Sequence, residues 1–136
     1  MIKIILLISA VFVLNLGASI WQSSYEKALK EAVSQNKILY VFIVSNECRW
    51  CRKMELTTMK NRDVIDNLKS DFISVELVRE DDSYPDILKA KAVPKHFFLT
   101  PAQQLIYSVP GYWSVEDFIS ILGDVKRKYI KIKEKK

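Results

Sequence analysis

A continuous apolar run, Ile38-Leu39-Tyr40-Val41-Phe42-Ile43-Val44, ends in the polar turn Ser45-Asn46-Glu47 and delivers the chain into Cys48-Arg49-Trp50-Cys51. A run without polar alternation reads as a central strand covered on both faces. The residues after it read as a loop and a helix start. If Cys48 begins that helix, Cys48 and Cys51 stand at i and i+3 on one face, near enough for a disulfide without moving the backbone. The positive end of the helix dipole favours a thiolate, which assigns the nucleophilic role to Cys48 and the resolving role to Cys51.

These are the only two cysteines in 136 residues. A bridge closing over two residues removes little entropy from the unfolded chain, so the pair is not a structural staple. Redox chemistry or metal binding is left as its reason to exist. A structural zinc site needs four ligands, and the chain offers the two cysteines and His96. Haem attachment asks for His directly after the second cysteine, where Arg52 stands.

A chain with 49% apolar and 27% charged residues can bury one core and has room for one domain. Residues 1–19 differ in kind: Lys3, then the apolar stretch Ile4 to Leu16, then Gly17-Ala18-Ser19. That pattern is a secretory signal peptide, with an uncleaved membrane anchor as the rival reading. The expected divisions are therefore a signal at 1–19, a domain at 20–125 and a basic tail at 126–136. The net charge of +5 gathers in that tail. Lys126, Arg127, Lys128, Lys131, Lys133, Lys135 and Lys136 face only Glu134, leaving the body nearly neutral. This distribution argues against nucleic acid as a partner and points the tail toward solvent or an anionic membrane surface.

Along the chain, Ser23-Ser24-Tyr25-Glu26 has the form of a capping box, and the apolar spacing predicts a helix over 24–35. The helix at Cys48 is expected to run to about Met59 with Met54 inward. A second begins at Asn61 and buries Val64, Ile65 and Leu68. Phe72 to Leu77 reads as a strand parallel to the first, because a helical crossover separates them. After an acidic loop, Pro85 fits the first position of a short helix holding Ile87 and Leu88. The segment Ala92 to Leu99 enters a third strand, Thr100 to Gln104 makes the hairpin turn, and Leu105 to Val109 is a fourth strand antiparallel to the third. Ser114 caps a last helix whose buried stripe is Val115, Phe118, Ile119, Leu122 and Val125.

The strand leading into Cys48-Arg49-Trp50-Cys51, the Val93-Pro94 pair just before a strand, and Gly111 ahead of the last helix together resemble the thioredoxin superfamily. The resemblance covers about residues 21–125. Asn36-Lys37, Cys51-Arg52-Lys53-Met54 and the segment Asn61 to Leu68 look most like exported members similar to the C-terminal domain of the transmembrane disulfide-interchange reductase. This likeness implies an α/β thioredoxin fold, a central four-stranded mixed sheet flanked by helices. It also implies a cis Val93-Pro94 bond packed beside the cysteines and dithiol exchange with no cofactor beyond the Cys48-Cys51 disulfide.

Two positions depart from the family. Where thioredoxins carry a buried acid six residues before the first cysteine, this chain has Phe42, so Glu47 or a water would have to handle the proton of the second thiol. Arg49 between the cysteines supports a thiolate at Cys48 while Glu47 opposes it. Trp50 serves either as a binding surface or as cover for the helix start, and His96 reads as a strand residue before it reads as a base.

The expected function is an exported thiol-disulfide oxidoreductase acting on protein thiols and disulfides, more reductant than oxidant, with a membrane reductase as electron donor. Trp50, Val93 and Pro94 are its expected substrate surface. The alternative is a non-catalytic binding module or a metal carrier.

Overall fold

The computed structural model describes residues 19–136. The expected signal segment lies, except for Ser19, outside them. The elements in order are β1 (Trp21–Gln22), α1 (Tyr25–Gln35), β2 (Ile38–Val44), α2 (Arg49–Leu56), α3 (Arg62–Asp71), β3 (Phe72–Val78), β4 (Lys95–Leu99), β5 (Leu105–Pro110) and α4 (Val115–Glu134), with 3-10 turns at Thr58–Lys60 and Asp86–Leu88.

All of β2 is buried, and it lies at the centre of one mixed sheet ordered β1-β3-β2-β4-β5. β3 runs parallel to it, from Ile38 opposite Phe72 to Val44 opposite Val78. β4 runs antiparallel, from Leu39 opposite Leu99 to Ile43 opposite Lys95. Because side chains alternate along a strand, β2 feeds two cores. Ile38, Tyr40, Phe42 and Val44 meet residues of α2, α3 and α4, while Leu39, Val41 and Ile43 meet α1 and Leu88. Each such aliphatic side chain contributes about 1.5–3 kcal/mol by leaving water. This is the thioredoxin fold, with helices on both faces of the sheet.

Local chemistry sets the helix ends. Ser24 in extended conformation accepts the Lys27 N–H at 3.2 Å, and Asn36 closes α1 in the left-handed region at φ 52°. Asn61 accepts from the N–H groups of Asp63 and Val64, and Ser114 from that of Asp117.

The four expected strands are present, and a fifth joins them: Trp21 and Gln22 pair with Ser74 and Val75 at the β3 edge. The expected helix to Met59 instead ends at Leu56. There the Thr57 hydroxyl turns back to the Lys53 carbonyl at 2.6 Å, and the chain tightens into the 3-10 turn. Pro85 is the cap of its short turn rather than the first position within it; Leu88 is buried and Ile87 is exposed. Val64 and Leu68 are buried, while Ile65 is only half covered. No structural break falls at residue 125, because α4 continues to Glu134. Tyr129 is buried there and donates to Asn36 Oδ1 at 3.3 Å. Among the described residues no helix is long and apolar enough to cross a membrane.

Candidate active site

The loop after β2 is short and well tied. Ser45 donates to Glu80 at 2.6 Å, and Arg52 reaches back to the Ser45 carbonyl at 3.2 Å. This fixes the point where α2 begins. Cys48 is the N-cap residue, extended at φ −133°, and its sulfur accepts the Cys51 N–H at 3.2 Å. Cys48 and Cys51 form a disulfide with Cα atoms 5.2 Å apart. Cys51 is fully buried, whereas Cys48 is half-buried, so Cys48 is the sulfur an incoming partner can reach.

Beside the disulfide, Trp50, Val93, Pro94, Gly111 and Tyr112 line an open cavity of about 340 Å³. The Val93-Pro94 bond is cis, as the resemblance implied. Trp50 is 51% exposed and fills no core. Its ring lies 5.8 Å from that of Tyr112, and Lys53 Nζ stands 5.0 Å and 4.8 Å from the two rings. A cation shared by two aromatic faces holds both in place as one wall of the cavity.

The opposite wall is braced from below. Gly111, at φ 97°, where an L side chain would be strained, donates to the Pro94 carbonyl at 2.7 Å. Its own carbonyl lies 2.9 Å from His96 Nε2, and the Tyr40 hydroxyl lies 2.8 Å from His96 Nδ1. A carbonyl can only accept, so Nε2 carries the proton and Nδ1 accepts from Tyr40. Burial pushes the His96 imidazole down to about 4. Burial, with Glu76 close by, holds the Tyr40 phenol well above its usual range. His96 is thus a neutral strut between β4 and the turn before α4, with both nitrogens engaged.

Phe42 packs on His96 with ring centroids 5.0 Å apart, and the place where the family keeps its buried acid is filled by hydrocarbon. A carboxyl sits one strand away. Glu76 on β3 is level with Phe42 and shares its face of the sheet. Burial, then the neighbouring Glu55 carboxyl, raise its pKa to about 7, against opposing pulls from Arg52 and Lys60. Glu55 comes four residues after Cys51 and therefore lies on the same face of α2 one turn on. One of its oxygens accepts from Arg52 at 3.0 Å, and the other is buried without a partner.

Sequence reasoning passes over this pair. Its one signal is a single acid inside the otherwise apolar and hydroxyl run Phe72 to Val78. Glu47 and Arg49, expected to tune the thiolate, both stand exposed around Cys48.

A family model described as a thioredoxin-like domain matches residues 25–126. The chain is 26% identical over 94 residues to mouse anterior gradient protein 3, an alignment that covers 69% of this chain and 57% of that protein. Among solved structures it superposes on a thioredoxin from Thermus thermophilus with a TM-score of 0.66 at 19% identity, covering 75% of this chain and 83% of that one. It superposes on the reduced C-terminal domain of DsbD from Neisseria meningitidis with a TM-score of 0.58 at 15% identity, covering 72% and 90%. At these identities the structural likeness speaks for the fold.

Proposed function

We propose that this chain, which belongs to the thioredoxin-like domain family, is an exported thiol-disulfide oxidoreductase acting on protein disulfides. The observation that carries the reading is the pairing of a half-exposed, helix-capping Cys48 with a fully buried Cys51 beside an open apolar cavity.

In the reduced protein the Cys48 thiolate attacks a substrate disulfide, forming a Cys48–substrate bond and releasing one substrate thiolate. Cys51 then gives up its proton and attacks the Cys48 sulfur. The second substrate thiolate leaves, and two electrons have passed from the Cys48/Cys51 pair to the substrate. Every step is reversible. Glu76 with Glu55 is the group that accepts the Cys51 proton, in place of the missing acid at Phe42. A group held near neutrality suits that task, because it can both take up and return a proton at working pH. Trp50, Val93 and Pro94 receive the apolar residues flanking the substrate disulfide, and Arg49 and Glu47 set the charge around the Cys48 thiolate.

The sequence resemblance of Asn36-Lys37, Cys51-Arg52-Lys53-Met54 and Asn61 to Leu68 to the exported reductase domain supports a reductant, kept reduced by a membrane reductase and passing electrons outward. The expected potential lies below about −180 mV, on the reducing side of the isomerase-like members. Segment 1–19 supports export.

The test is covalent trapping. Cys51→Ser leaves a nucleophile without a resolver, so mixed disulfides accumulate on Cys48, while Cys48→Ser traps almost none. Equal trapping by the two variants on non-reducing gels would overturn the roles. A wild-type protein that binds disulfide peptides but never reduces insulin would mark a binding module instead.

A further inference from the structure

The end of the sheet opposite Cys48 carries its own surface. β2 rises from Ile38 to Val44, so over its length the disulfide and the Ile38 end are held roughly 20 Å apart. At the Ile38 end two cavities adjoin and share Lys37. One, of about 350 Å³, is lined by Lys37, Ser70, Lys126, Tyr129, Ile130 and Lys133 among others. The other, of about 230 Å³, includes Ser19, Ile20, Lys37 and Lys69.

Lys37 Nζ donates to the Lys69 carbonyl at 3.2 Å, which draws the start of β2 and the end of α3 together. Among the described residues the acids here are largely spent. Asp71 pairs with Lys126 at 3.2 Å and Asp124 with Arg127, so these four charges cancel, leaving Glu134 against Lys37, Lys69, Lys133, Lys135 and Lys136. Ile130 is half exposed in the middle of this basic patch.

The chain enters the domain at the same end. Ser19 and Ile20 line the second cavity, and the apolar residues Ile4 to Leu16 join the domain through them. A net positive charge, an exposed isoleucine and the attachment of a long apolar stretch thus coincide on one surface, at the pole away from the cysteines. Lysine ammonium groups bind phosphodiester headgroups as point charges, and an apolar side chain among them can enter the headgroup boundary.

We propose that Lys37, Lys69 and Lys133 rest on the headgroups of an anionic bilayer. This holds the domain upright with Cys48, Trp50 and Pro94 turned away from the membrane. The orientation leaves the active site open to partners in the surrounding aqueous space and to the exposed domain of a neighbouring membrane protein.

Lysine footprinting tests it with the full chain, synthesised cell-free into nanodiscs of phosphatidylglycerol or of phosphatidylcholine and pulsed with an acetylating reagent. In phosphatidylglycerol, acetylation of Lys37, Lys69 and Lys133 should slow at least about fivefold relative to phosphatidylcholine, the effect of one lysine–membrane contact. Lys53 and Lys95, at the active-site end, should label alike in both. Raising the salt to about 1 M should erase the difference, since screening then acts within about 3 Å. Lys69→Glu with Lys133→Glu should return Lys37 to its phosphatidylcholine rate while insulin reduction stays at the wild-type level.

Equal labelling in the two lipids would overturn the proposal, as would protection spread evenly to Lys53 and Lys95. Protection of the same lysines by duplex DNA or polyglutamate, at matched charge and in phosphatidylcholine discs, would reassign the surface to a soluble polyanion. The labelling readouts do not depend on dithiol exchange, so the redox reading and this one stand or fall separately.

Discussion

On one face of β2, Leu39, Val41 and Ile43 meet Ile73, Val75 and Leu77 of β3 and the small residues Ala28 and Ala32 of α1. The phenol of Tyr25 at its margin turns its hydroxyl outward to Gln103. On the other face, Tyr40 and Phe42 stack with His96 and Phe98, Glu76 lies level with Phe42, and Cys51 and Met54 close over them from α2. The same strand therefore separates two kinds of interior. The aliphatic face gains its stability from area and close packing. The face under α2 buries a phenol and an imidazole and half-buries a carboxyl pair, groups whose interactions are stronger for lying away from water and costlier when left unpaired. Both sides of the sheet carry a hydrophobic core, but only the side under α2 also carries the polar groups of the candidate site, so the two can be altered one at a time.

The largest expected effect sharpens the aliphatic side. Leu77→Ala should cost about 2–5 kcal/mol of folding stability, the usual range for a cavity left by a buried leucine. The rate of disulfide reduction per folded molecule should stay at the wild-type value. Denaturant titration beside an insulin assay reads both, and a fall in specific activity would break the separation.

His96→Leu probes the other side with a smaller expected loss. The Tyr40 hydroxyl and the Gly111 carbonyl lose their partner, costing about 1–3 kcal/mol. The Gly111 turn beside Pro94 loses its strut, so KM for a disulfide peptide should rise more than kcat falls. An unchanged KM would show that the cavity wall does not depend on the buried imidazole.

A third expectation concerns pH. The His96 pKa is lowered to about 4, so between that value and about 6.5 the unfolded chain binds the extra proton and stability rises with pH. The Glu76 pKa is raised to about 7, so from the ordinary carboxyl range up to that value the folded state binds the extra proton and stability falls with pH. The two slopes oppose each other over most of their windows, and the wild-type profile between about pH 4.5 and 6.5 should be shallow. Glu76→Gln removes one of them. Its stability should rise with pH across that interval and be lost again as pH falls, as urea midpoints would record. Matching profiles for variant and wild type would mean that Glu76 does not hold its proton in the folded state.

The smallest effect is expected at the surface. Trp50→Ala should change stability by no more than about 0.5 kcal/mol, as exposed substitutions do. It should weaken binding of disulfide peptides flanked by apolar residues more than of peptides flanked by polar ones.

Much of the fold and of the site is legible in the chain, and the reason is locality. Ser24, Asn61 and Ser114 cap helices through bonds to residues two or three positions away, and the run Ile38 to Val44 states its own burial. The disulfide likewise spans a single helical turn. The features that escape depend on distant partners. Trp21 and Gln22 form a strand only because the β3 edge is there to receive them, and two residues carry no periodicity. Glu76 counts as a half-buried acid only once the register places it level with Phe42 and beneath α2. The extension of α4 through the basic segment rests on Tyr129 finding Asn36, far away in sequence. Glu47 draws notice in the sequence for being adjacent to Cys48, although adjacency in a turn does not decide which way a side chain faces.

The sulfur of Cys48 is both the proposed site of reaction and the acceptor that caps α2. Each chemical state of that atom is therefore a different helix cap: a weak acceptor in the disulfide, and a charged one, with a stronger bond to the Cys51 N–H, in the thiolate. The Cys51 amide proton is in effect a voltmeter wired into the backbone. Its resonance frequency and its exchange with solvent should therefore report the redox state of the pair without any added label.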